Sequence, residues 1–107
     1  MKATTLFALA LTGTAIIATS ADAASWRASH PRRAEVNARL ANENRRIAQE
    51  RREGEITAAQ AHDLHAQVHG IRVQERADAS AHGGHITRAE QVQLNREANQ
   101  VSRQIGH

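Results

Sequence analysis

Cysteine is absent from the 107-residue chain. That excludes a disulfide framework, lipid attachment at a lipoprotein cysteine and a thiol nucleophile. Tyrosine is absent too, and there is one phenylalanine and one tryptophan. Proteins that hold single-stranded nucleic acid stack bases on aromatic side chains, and only Trp26 offers one beyond residue 23. Lysine occurs once, as Lys2, so the basic balance is carried by thirteen arginines. Between residues 24 and 107 these are interleaved with ten acidic residues, for a net charge of +3. Nucleic-acid binding calls for a concentrated basic face, and the sequence expectation is no nucleic-acid partner. The catalytic signatures G-x-S-x-G and H-E-x-x-H and a glycine-rich phosphate loop are also missing. Asp63 follows His62, but neighbours in a helix point to different faces, so the two form no dyad. The expectation is a protein that is not an enzyme.

The first 23 residues read as a targeting segment. Lys2 gives a positive start, Leu6 to Ala18 is an apolar run, and Ala21-Asp22-Ala23 is the small-x-small pattern that signal peptidase accepts. Cleavage is expected after Ala23, with a bacterial periplasmic or secreted destination. The alternative is a membrane anchor, but about 13 apolar residues fall short of the roughly 20 that a helix needs to span the hydrocarbon core. Residues 24–31 read as a loose leader and 32–107 as one helical domain, with no transmembrane segment in the mature chain. A domain this small buries a modest core, of about 3–5 kcal/mol at most. Homodimerisation, a ligand or a metal is the expected supplement.

What is present is a repeat. Gly54-Glu55-Ile56-Thr57-Ala58-Ala59-Gln60 returns thirty residues later as Gly84-His85-Ile86-Thr87-Arg88-Ala89-Glu90. Leu64 then matches Leu94, Gln67 matches Glu97, Ile71 matches Val101 and Gln74 matches Gln104. A fixed period marks a duplicated supersecondary unit that packs on copies of itself. Thr57…Gln60 and Thr87…Glu90 have the capping-box pattern, in which the threonine and the Gln or Glu satisfy each other's backbone N–H. After each box the apolar residues follow heptad spacing: Ala61, Leu64, Val68, Ile71, then Leu94, Ala98, Val101, Ile105. Upstream, Val36, Leu40 and Ile47 share one helical face behind Pro31, a residue suited to a first helical turn. Leu40 to Ile47 repeats the L-x6-[IV] element of Leu64 to Ile71 and Leu94 to Val101. The fold expected is all-α: three helices near 32–52, 58–80 and 88–105 in a hairpin or bundle of duplicated helix-turn-helix units, with coiled-coil-like packing. Gly70 inside the second helix costs about 1 kcal/mol against alanine and marks a bend or a close contact.

Histidine is the candidate for chemistry. His62, His65 and His69 recur at i, i+3 and i+7, within about 60° of one another on a helix. Imidazole is a common ligand for zinc, copper and nickel, so this stripe is a candidate metal site. His82 and His85 would join it if the following turn folds back. The competing reading is a solvated face, since His65 and His69 are replaced by Asn95 and Asn99 in the next repeat.

The turn Gly-x-Ile-Thr-x-x-[Glu/Gln] between helices resembles the second half of an EF-hand calcium loop. Alignment on Gly84, Ile86 and Glu90 places Ala79, Ala81 and Gly83 where that family has its first oxygen ligands. Alignment on Gly54, Ile56 and Gln60 gives Gln49, Arg51 and Glu53. Only Glu90 and Glu53 fit, and the resemblance implies a degenerate site at most. Ile56-Thr57-Ala58-Ala59-Gln60 and Ile86-Thr87-Arg88-Ala89-Glu90 also resemble the LTxxQ motifs of small periplasmic stress proteins. That likeness implies an all-helical exported chaperone or metal-stress adaptor. Gly84-His85-Ile86-Thr87 and the ending Val101-Ser102-Arg103-Gln104-Ile105-Gly106 resemble uncharacterised small secreted proteobacterial helical proteins with GxIT repeats, a likeness that implies no activity. The function expected is a non-enzymatic periplasmic interaction protein, chaperone-like or an envelope-stress binding module, that holds a protein partner or client on arginine-rich faces and exposed apolar edges. A transition-metal protein built on His62, His65 and His69 is the alternative, and a calcium protein ranks third.

Overall fold

The computed structural model describes residues 21–106. Residues 1–20, which hold most of the expected signal peptide, and His107 lie outside that range. The described residues divide between two units, with the boundary after Pro31. In the first, residues 21–29 are helical, so 24–29 of the expected loose leader form helix instead. The Ser29 hydroxyl donates to Trp26 O at 3.1 Å, and His30 stacks on Trp26 with ring centroids 4.7 Å apart. Four alanines between 21 and 28 favour the helix. It stops at His30 because a residue before proline is pushed away from helical backbone angles.

Three helices follow: α1 (Pro31–Arg52), α2 (Ala58–Ala81) and α3 (Arg88–Ile105). The fold is all-α, as the sequence indicates. Polar contacts set the helix directions. Arg33 meets Glu75 and Asn44 meets His65, so α1 and α2 are antiparallel. Glu35 meets Gln91 and Arg46 meets Ser102, so α1 and α3 are parallel. Gln67 meets Gln104, which leaves α2 antiparallel to α3 as well. This is an up-down-up bundle.

Both turns are built by the same local chemistry. At the end of α1 the Glu55 N–H reaches Glu50 O at 2.9 Å and the Gly54 N–H reaches Arg51 O at 3.2 Å. Gly54 itself takes φ 78°, the left-handed angle that closes a helix. At the end of α2 the closing residue is Gly83, with φ 65°, while the Gly84 N–H donates to Ala79 O at 2.8 Å. The second turn is therefore one residue longer than the first, and the sequence match of Gly54 with Gly84 does not align their closing glycines. Each turn ends in a complete capping box. Gln60 N–H donates to Thr57 Oγ1 at 3.0 Å and Thr57 N–H to Gln60 Oε1 at 2.7 Å. Thr87 and Glu90 repeat this at 3.1 and 2.8 Å. Ile56 and Ile86, just before the caps, are buried.

The expected heptad faces form the core: Val36, Leu40 and Ile47; Ala61, Leu64, Val68 and Ile71; Leu94, Ala98, Val101 and Ile105. Two acids share it. Glu43 is 3% exposed and Glu75 1%. In α2 and α3 the residue four places after the leucine is apolar, Val68 and Ala98, whereas α1 buries the residue three places after Leu40, which is Glu43. The shared L-x6-[IV] element conceals this change of phase.

Candidate functional site

Each buried acid is matched by arginine. The Arg33 guanidinium straddles the Glu75 carboxylate, with Nη2 donating to Oε1 at 3.2 Å and Nε to Oε2. Its Nη1 also donates to Gly84 O at 3.2 Å, so one side chain ties α1 to α2 and to the second turn. Arg46 pairs with Glu43 at 3.2 Å and donates to Ser102 Oγ at 2.8 Å. Breaking a buried pair strands a charge, so these groups specify helix register more than they offer reactive chemistry.

Along the α1–α3 seam a polar ladder repeats once per turn. Glu35 Oε1 accepts from Gln91 at 2.9 Å and from Asn95 at 3.1 Å. Arg39 donates to Asn95 O and Oδ1, both at 3.4 Å, and to Asn99 Oδ1. Asn95 and Asn99 are thus structural members of the bundle, whereas the sequence treats them as spectators of a solvated face. Their counterpart His65 does similar work: its Nδ1 donates to Asn44 Oδ1 on α1 at 2.8 Å.

The histidines do not converge. His62, His65 and His69 are all exposed, and His65 turns toward α1. Among the described residues no three His, Asp or Glu side chains are grouped to hold a metal ion. His82 and His85 lie in the turn beyond α2. Thirteen residues of helical rise separate His82 from His69, about 20 Å. The turn therefore cannot fold back to complete the stripe. Instead, His82 Nδ1 meets Asp78 O at 3.1 Å and lies 3.4 Å from Glu90 Oε1. In the EF-hand alignment, Ala79 belongs to the core and Glu90 Oε1 is taken by the Thr87 N–H. That backbone hydrogen bond holds the Glu90 carboxyl below its ordinary pKa. Burial opposes the shift, while the Thr87 hydroxyl and the charge of His82 add to it.

The α2–α3 seam has a different character. Gln67 and Gln104 exchange hydrogen bonds across it at 3.0 and 2.9 Å. An open depression lies on either side of this bridge. One, of about 350 Å³, is lined by Ile56, Gln60, Asp63, Leu64 and Gln104. The other, of about 250 Å³, is lined by Gln67, Gly70, Ile71, Glu97, Gln100 and Val101. Their floors are core aliphatics and their rims are amides and carboxylates. In the sequence this seam is marked by Gln60 and Gln67, seven residues apart on α2 and each lining one depression.

Among the described residues no helix is long and apolar enough to cross a membrane. No protein-family model matches the chain, and no curated protein or solved structure matches it either.

Proposed function

We propose that this is a non-enzymatic interaction protein of the bacterial periplasm, which holds a protein partner or client against its helical surface. The supporting observation is the α2–α3 seam, where two depressions with apolar floors and polar rims lie open to solvent. Protein-binding surfaces combine an apolar centre with a polar rim in this way. The titratable side chains of the bundle support the same reading. Arg33, Arg46, Glu43 and Glu75 serve helix pairing, and Glu90 serves a cap. The LTxxQ-like pentapeptides point in the same direction, and here their threonine and Gln or Glu form the caps that hold the bundle.

The test is aggregation of a thermally unfolding client protein, followed by light scattering with the chain in stoichiometric excess. Suppression of scattering is expected. An unchanged aggregation curve would count decisively against the reading.

A further inference from the structure

Three features coincide on the α2–α3 seam. The first is charge. Its lining includes two ionisable residues, Asp63 and Glu97, one in each depression. Asp63 accepts only from Gln67 and Glu97 only from Gln93, and among the described residues neither has an ion-pair partner. A chain with thirteen arginines has placed none of them in this lining. The second feature is spacing. Leu64 and Ile71, the α2 floor residues of the two depressions, are seven residues apart, or about 10.5 Å along the helix. The third is Gly70. Glycine inside a helix is less favourable than alanine, yet a Cβ there would meet nothing within 4 Å. Packing within the chain does not require glycine at this position, and the open space over it leaves room for the backbone of another helix.

We infer that the seam is a docking groove for a basic amphipathic helix of another protein. That helix places two apolar side chains, seven residues apart, in the two depressions and sets a lysine or arginine against Asp63 and Glu97. This deepens the proposed interaction function and rests on it. It follows the helix-in-groove mode of recognition, in which spaced apolar anchors supply affinity and flanking charges set the register. A second copy of the chain does not meet the requirement. Among the described residues its exposed large apolar side chains, Val73 and Val92, lie on different helices and do not supply two anchors seven residues apart. Seam-to-seam pairing would set carboxylate against carboxylate, which is repulsive.

The probe is an acetylated, amidated, alanine-rich peptide of about 18 residues, long enough to hold a helix. It carries two leucines seven residues apart with a lysine beside each, and is titrated into the isotopically labelled full chain at low salt. Amide shifts are expected to cluster at Asp63, Gly70 and Glu97. The double change Asp63→Asn with Glu97→Gln should weaken binding about fivefold, in keeping with the loss of two exposed ion pairs. Gly70→Leu should abolish binding while the melting temperature holds or rises. Absence of binding, shifts centred elsewhere, or full binding by folded Gly70→Leu would each overturn the inference. Its failure is separable from that of the function. A chain that suppresses aggregation but ignores the peptide refutes the groove alone. One that binds the peptide but protects no client refutes the client-holding function alone.

Discussion

At the scale of single residues, Thr57, Thr87, Gln60 and Glu90 carry disproportionate weight, because each of them satisfies a backbone group at a helix start. Replacing Thr57 or Thr87 with alanine should destabilise the bundle by about 0.5–2 kcal/mol, measured by urea denaturation. Leu64→Ala or Leu94→Ala should cost more, about 2–5 kcal/mol, because each leaves a cavity in the core. A larger loss from the threonine changes would mean that the core face is misassigned. Glu90 adds a pH signature. Its carboxyl sits below the ordinary value in the folded chain because the Thr87 N–H favours the ionised form. A depressed carboxyl contributes stability that is complete above the unfolded-state pKa and is lost as pH falls through the folded-state pKa. Gln60 does the same capping work without charge, so Glu90→Gln keeps the box and removes the titration. Wild type should exceed this variant in stability near neutral pH, and the gap should close in acid. A gap independent of pH would contradict the assignment.

At the scale of elements, the helices and turns were legible in the sequence because they are governed by local rules. Caps, closing glycines and heptads act within seven residues, and the spans of α1, α2 and α3 followed from them to within a residue, whereas the helix over 21–29 did not. What escaped the sequence depends on partners far along the chain. Glu75 stands at a core heptad position, seven residues after Val68, but the arginine that neutralises it, Arg33, lies 42 positions away. Glu43 likewise falls seven residues after Val36, but the Ser102 hydroxyl that shares its partner Arg46 lies on α3. Asn95 and Asn99 look interchangeable with solvated histidines until α1 lies alongside them. Glu75→Ala should therefore cost about 3–5 kcal/mol, since it leaves Arg33 without its partner in a partly buried site. Combining Arg33→Met with Glu75→Leu should recover most of that loss in the same denaturation assay. No recovery would mean that the pair contributes net stability beyond matching charges.

At the scale of the whole molecule, the bundle spends its buried charges on register and leaves the α2–α3 seam open. Of the exposed histidine stripe only His65 takes part in helix pairing, through Asn44 on α1. Changing His62 and His69 to asparagine should leave the unfolding free energy within about 0.5 kcal/mol, as surface substitutions usually do. Adding His65→Asn should cost about 0.5–1.5 kcal/mol more through the hydrogen bond to Asn44. Zinc, copper and nickel isotherms of that variant should match wild type, and a selective loss of affinity would restore the metal reading. The candidate site was less legible than the fold. The seven-residue glutamine spacing on α2 was available, but a polar heptad flank acquires meaning only when the neighbouring helix is known. The most direct test of a seam-based holding function is amide chemical-shift mapping of the labelled chain mixed with an unfolding client. Perturbations should run along the seam through Asp63, Gln67, Gly70, Glu97 and Gln100. Perturbations confined to α1, or centred on Val73 and Val92 with the seam unchanged, would contradict it.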